Sequence, residues 1–284
     1  VRGPFFCLFL LSGLAAFAET TIPFRLSRGL ILVDANIQGA KRPLHFIVDS
    51  GAGETLISKT VAKELNLPLT GQERIRTVRG AENASRAEAT RISLGAGNTV
   101  RFSPSPLVVD LSQESRTLAS PVDGLLGVNF FDGRSIQIDF GASCLRVTPD
   151  RKPGAVAAKV PLFRSGGAMF VRLSAAGSPL QRVRLDTGCN RSLCWSPPAD
   201  SSLGRIWSDG KTMKADVQLG ALVVADVPSD VYRKPLFAGE DGLLGTAFLS
   251  RFGSVWIDAV NGRVAFGNVR QLSKTNRRLT VNLD

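Results

Sequence analysis

Two short strings in this 284-residue chain place carboxylates where they can do chemistry. Asp49-Ser50-Gly51 and Asp186-Thr187-Gly188 each set an aspartate on a glycine-containing turn, after the apolar segments Phe46-Ile47-Val48 and Val183-Arg184-Leu185. The same five residues, Asp-Gly-Leu-Leu-Gly, then recur at 123–127 and at 241–245. Either aspartate string alone reads as an ordinary Asx turn at a strand end. Two copies in the same order argue for two half-sites brought face to face. A pair of carboxyl groups a few ångströms apart cannot both ionise readily, so they share a proton and titrate as a unit. One can then take a proton from water while the other donates to a carbonyl oxygen. Gly51 and Gly188 lack a Cβ, which lets backbone approach carboxylate and substrate closely.

The elements that must carry these turns follow from short apolar runs separated by turn residues. In the first half, strand-like segments at 30–36 and 44–48 lead into Asp49, and Ser58 is placed to cap a short helix that stops before Pro68. Residues 74–94 read as a hairpin turning near Arg79-Gly80, Phe130-Phe131 as a turn, and 136–140 with 144–147 as a closing pair. In the second half, 169–173 and 181–185 lead into Asp186. There 206–217 reads as a hairpin turning at Asp209-Gly210, and 254–258 with 263–266 flank an Asn261-Gly262 turn. The expectation is an all-β chain of two pseudo-twofold related, closed barrel-like lobes with few short helices. Its divisions are a first lobe at 19–148, a linker at 149–158, a second lobe at 159–269 and a basic tail at 270–284.

On these motifs the chain resembles the aspartic peptidase superfamily in its two-lobed, single-chain form, each lobe being similar to a retropepsin subunit. The resemblance runs from about Ile22 to about Gly267. It implies an acid-protease fold, with Asp49 and Asp186 as the catalytic pair and Ser50 and Thr187 bracing it from opposite lobes. The Gly-Leu-Leu-Gly strings are then the strands packed beside the catalytic turns. The two hairpins are then expected as flaps over an extended peptide substrate, which puts Arg79, Gly80, Asp209 and Gly210 near substrate, while Trp207 either contacts substrate from the second flap or packs in the core or at an edge. Pepsin-like members carry a flap tyrosine, whereas the single tyrosine here, Tyr232, lies outside the expected flaps. The shorter lobes point to the retropepsin-like branch.

Ahead of the first lobe, Phe5 to Ala18 is an apolar stretch behind Arg2 that ends in Ala16-Phe17-Ala18. This pattern suits a cleavable signal peptide at 1–18, and so a periplasmic or secreted protein. Cys189 and Cys194 either pair as a small-loop disulfide or remain free and buried. One histidine and these cysteines have no zinc-ligand spacing, so no metal or cofactor is expected. His45 suits a structural strand position better than a catalytic base. The formal charge of +11 fits a solvated basic surface, with an anionic envelope surface as a further partner. No basic cluster interleaved with aromatics calls for nucleic acid. The functional expectation is an exported aspartic endopeptidase that works on peptide or protein as a monomer with an internal pseudo-dimer. The alternative is a non-catalytic peptide-binding module of the same fold.

Overall fold

The computed structural model describes residues 19–77, 80–148, 156–197 and 211–269. The expected signal peptide, most of the expected linker and the tail from 270 lie outside the described residues. In the first lobe β1 (Thr20–Ser27), β2 (Leu30–Ile37) and β3 (Leu44–Val48) lead to the Asp49 turn, and β4 (Leu56–Ser58) and α1 (Lys59–Glu64) follow it. Next come β5 (Leu69–Thr77), β6 (Gly80–Ala87), β7 (Ile92–Leu94), β8 (Val100–Phe102), β9 (Leu107–Val109) and α2 (Ser112–Leu118). The lobe closes with β10 (Gly124–Leu126), α3 (Val128–Phe131), β11 (Ser135–Asp139) and β12 (Cys144–Thr148). In the second lobe β13 (Ala158–Pro161), β14 (Phe163–Ser165), β15 (Ala168–Ala175) and β16 (Gln181–Asp186) lead to the second turn. Then follow β17 (Leu193–Trp195), β18 (Lys211–Leu219), β19 (Leu222–Val231), β20 (Gly242–Gly245), α4 (Thr246–Leu249), β21 (Ser254–Asp258) and β22 (Arg263–Phe266).

Each half threads its two signature strings together in the same way. β10 lies parallel to β3 with Leu126 opposite Val48, and β20 lies parallel to β16 with Gly245 opposite Asp186. The aspartate that opens each Asp-Gly-Leu-Leu-Gly string fixes this register. Asp123 accepts the backbone N–H of His45 at 2.8 Å, and Asp241 accepts that of Arg182 at 2.8 Å, four residues before each turn aspartate. Both carboxylates are committed to backbone, which gives them a structural position in the sheet. The glycines that follow are obligatory for packing: a Cβ at Gly124 would sit 2.3 Å from the Phe46 ring, and one at Gly242 would sit 2.3 Å from the Cys194 carbonyl.

In the second lobe β15, β16, β20, β17, β19 and β18 close into a six-stranded barrel through the β15–β18 pairing. The first lobe follows the same path with its counterpart strands broken, as β6 and β7 on one side and β8 and β9 on the other. Between the lobes runs a shared sheet in the order β13-β22-β21-β11-β12-β1. Its centre is the antiparallel β11–β21 pair, with Gln137 opposite Trp256 and Ser135 opposite Asp258. That is the pseudo-twofold expected from the duplicated strings. Apolar side chains dominate the core, with Phe248, Phe252 and Phe266 clustered at 5.0–6.4 Å in the second lobe.

Local expectations fare unevenly. Ser58 caps α1 by accepting the Val61 N–H at 3.2 Å, and Val61 and Ala62 are buried beneath it. The first-lobe hairpin is β5–β6, with Thr77 opposite Gly80, so it spans 69–87 and not 74–94. Ile92 and Leu94 leave it because they are fully buried against β2, opposite Ile37 and Ala35. Phe130 and Phe131 form part of a helical turn, α3, that buries both rings. The turn placed at Asp209-Gly210 lies outside the described residues; β18 pairs with β19 about a turn at Gly220-Ala221.

Candidate active site

The two aspartate turns meet at the lobe boundary, each pressed against the other's carboxyl group. A Cβ placed on Gly51 would lie 2.4 Å from the Asp186 Cγ, and one on Gly188 would lie 2.3 Å from the Asp49 Cγ. Neither glycine has a positive φ, so their requirement here is for space. Behind them Ser50 and Thr187, both fully buried, exchange two bonds across the boundary and make one more each. The Ser50 N–H donates to Thr187 Oγ1 at 2.9 Å and the Thr187 N–H to Ser50 Oγ at 3.0 Å. Each hydroxyl then donates onward to the other lobe, Ser50 Oγ to the Leu185 carbonyl at 2.8 Å and Thr187 Oγ1 to the Val48 carbonyl at 2.7 Å. Every donor in this cross is satisfied, so the two turns are held as one rigid unit.

The carboxyl groups themselves are not equivalent. Asp49 is partly exposed and its Oδ1 accepts the N–H groups of Gly51 at 2.9 Å and Ala52 at 3.0 Å. Asp186 is 8% exposed and its Oδ1 accepts the N–H of Gly188 at 3.0 Å. The two carboxyl groups are close enough to act on each other's ionisation. Burial raises both above the ordinary carboxylate value of 3.8, and the charge of Asp49 raises Asp186 further. For Asp49 the two N–H bonds, the neighbouring Asp186 carboxyl group and the charge of Arg184 oppose that rise. The geometry therefore favours a proton on Asp186 and the negative charge on Asp49.

Above the pair is a cavity of about 440 Å³. The β5–β6 hairpin contributes Glu73, Ile75, Arg76 and Glu82 to its wall, Leu107 and Val109 line it from β9 beside the hairpin, and Leu111 lines it from the start of α2. Of the expected flap residues, Gly80 opens β6, while Arg79, Trp207, Asp209 and Gly210 lie outside the described residues. Cys189 and Cys194 are free thiols with sulfurs 4.0 Å apart, so the disulfide alternative is not the state seen. Their mutual contact and burial hold Cys189 up, in the thiol form. Among the described residues no group of three or more His, Cys, Asp or Glu is placed to hold a metal ion. Likewise no helix among them is long and apolar enough to cross a membrane.

Residues 33–130, which include Asp49, the hairpin and the first Asp-Gly-Leu-Leu-Gly string, match the family model of aspartyl proteases. The chain also superposes on the crystal structure of aspartic proteinase from Irpex lacteus with a TM-score of 0.60, over 91% of this chain and 99% of that one. The first-lobe match and the fold both support the aspartic peptidase superfamily. Identity to the Irpex lacteus enzyme is 12%, so that likeness is one of fold. No curated protein matches the sequence. Family model and fold together support a peptidase, that is, a hydrolase of peptide bonds.

Sequence reasoning missed one pair at this candidate site. Arg184 and Glu240 form a two-pronged ion pair with side chains 12% and 9% exposed. The Arg184 Nε donates to Glu240 at 2.8 Å, its Nη2 bonds the other carboxylate oxygen, and its Nη1 donates to the Gly51 carbonyl at 2.6 Å. Phe237 stacks on the same guanidinium at 4.3 Å. A charged residue inside the apolar run before Asp186 was the available signal, together with an acid just before the second Asp-Gly-Leu-Leu-Gly string.

Proposed function

We propose that the chain is an exported aspartic endopeptidase that hydrolyses peptide bonds with water activated between Asp49 and Asp186. The observation that carries this reading is the reciprocal contact of the turns: each glycine abuts the opposite carboxyl group. In this reading Asp49, partly exposed and steadied by two N–H donors, is the base that takes a proton from water. Asp186, more buried, holds the proton and donates it in a hydrogen bond to the scissile carbonyl oxygen. The resulting hydroxide adds to the carbonyl carbon. The tetrahedral intermediate collapses as the carbon–nitrogen bond breaks and a proton passes to the leaving amine, which returns the pair to a single shared proton. An extended peptide fits between the β5–β6 hairpin and the pair, with the apolar wall of Ile75, Leu107, Val109 and Leu111 taking hydrophobic side chains. Export is supported by the apolar stretch at 5–18 with its small residues at Ala16 and Ala18.

The test is cleavage of a denatured protein mixture between about pH 3 and 8, a range that brackets the raised carboxyl titrations, by the chain and by its Asp186→Asn variant. Activity that disappears in the variant supports the two-carboxylate reading. Equal activity in both sinks it, and binding of peptide without cleavage by either moves the reading to the non-catalytic module.

A further inference from the structure

We propose that Arg184 is a positioning residue for the aspartate pair, clamped by Glu240 and acting across the lobe boundary on the carbonyl of Gly51. The inference rests on the peptidase reading above and extends it to residues outside the two turns. Three observations carry it. First, the guanidinium is fully engaged in direction: two of its nitrogens grip Glu240, a third reaches Gly51 in the other lobe, and Phe237 covers its face. Gly51 is the residue whose backbone lies against the Asp186 carboxyl group, so the bond fixes the turn that sets the spacing of the pair.

Second, the pseudo-twofold mate of this pair is apolar. Ile47 faces Leu32 and Leu125 where Arg184 faces Phe170 and Leu243. Val122 precedes Asp123 as Glu240 precedes Asp241, and both Ile47 and Val122 are buried in an apolar cluster. The scaffold is therefore satisfied by two hydrocarbon side chains at these positions, and stability alone does not demand an ion pair. Third, the charge is placed where it reaches both carboxyl groups. Arg184 lowers Asp49 and Asp186 alike, against the burial that raises them. The other charged groups lining the cavity, Glu54, Glu73, Arg76, Glu82, Asp110 and Glu114, come from the first lobe, and Cys189 adjoins from the second turn. Arg184 is a cation that acts on both members of the pair.

The experiment follows from the symmetry. Arg184→Ile combined with Glu240→Val installs the first-lobe residues at the second-lobe positions, and it leaves no buried charge alone. The readout is the carboxyl titration of carbon-13-labelled aspartate in the folded chain, which needs no substrate, alongside kcat. In the double variant the pair is expected to titrate higher by about one pH unit, with kcat down about tenfold from looser geometry. An unmoved titration overturns the proposal. Arg184→Lys keeps the charge and loses the fork, so its titration is expected to stay near that of the unaltered chain while kcat falls; an unchanged kcat in this variant also overturns the proposal. An unaltered chain that cleaves nothing refutes the peptidase reading instead, and the titration still decides the role of Arg184.

Discussion

The two lobes share a backbone plan down to individual hydrogen bonds, yet they line the site with opposite chemistry. In the first lobe Ile47 and Val122 sit in an apolar cluster with Leu32, Leu107, Val109, Leu111 and Leu118, next to a long hairpin. In the second, Phe170, Arg184 and Glu240 occupy the matching places, and the barrel closes with unbroken β18 and β19. Where function needs identity, at the turns, the halves are copies. Elsewhere one half supplies an apolar wall and the other a fixed charge. On the proposed function, a duplicated scaffold has thus divided the labour of one site while keeping both aspartate turns.

That comparison can be broken most directly at the reacting groups. Asp49→Asn and Asp186→Asn are each expected to lower kcat on the order of 10² to 10⁴, measured on the same peptide; a tenfold difference between them would mean that the halves contribute unequally. Their stabilities at neutral pH sharpen the point. Both carboxyl groups are raised by burial, so each binds more protons folded than unfolded at pH values above 3.8, and its contribution to stability falls as pH rises through that window. Asp186 is raised well above that value, so Asp186→Asn should raise the melting temperature at pH 7 more than Asp49→Asn.

The glycines come next. Gly51→Ala and Gly188→Ala each force a methyl group into the opposite carboxyl group, at an expected cost of about 1–3 kcal/mol and with cleavage lost. Denaturant melts should find the two costs alike, since the clashing distances are 2.4 and 2.3 Å.

What the sequence made legible divides along the same line. The turns and the closing strands, expected at 136–140 and 254–258, are local patterns repeated in order, so duplication amplified them; the packing of each Asp-Gly-Leu-Leu-Gly string beside its turn came from the family resemblance. Arg184 and Glu240 stand 56 residues apart and join only through the β16–β20 register. Each alone looks like a solvated charge. Laying one half over the other exposes them, because Ile47 and Val122 become opposite charges together. The departure of Ile92 and Leu94 from the hairpin was hidden for a different reason, since burial against β2 decides it and no turn signal marks it.

Smaller effects test the supports. Thr187→Val strands the Ser50 N–H and the Val48 carbonyl, and Ser50→Ala strands the Thr187 N–H and the Leu185 carbonyl. Each is expected to cost about 1–3 kcal/mol, equal within error if the cross is symmetric. The smallest effect separates the two register aspartates. Burial opposes ionisation of Asp123, but the Arg42 bonds at 2.8 Å, the His45 N–H and the Arg42 charge outweigh it and hold the carboxyl below 3.8. Its stabilisation is present above pH 3.8 and is lost as pH falls through its lower folded value. Asp123→Asn should therefore cost about 1 kcal/mol at pH 7 and little below pH 3, as acid titration of stability would show.

The shared sheet carries a further consequence, for assembly. Each half contributes three strands and ends at the centre on a similar edge, Ser135-Ile-Gln-Ile-Asp139 or Ser254-Val-Trp-Ile-Asp258. A chain severed between β12 and β13 would leave two fragments, each with an open β edge whose natural complement is the other fragment. Such pieces should find one another and rebuild the seam without a covalent link, so the peptide connection sets the order and proximity of the halves while the seam sets their fit.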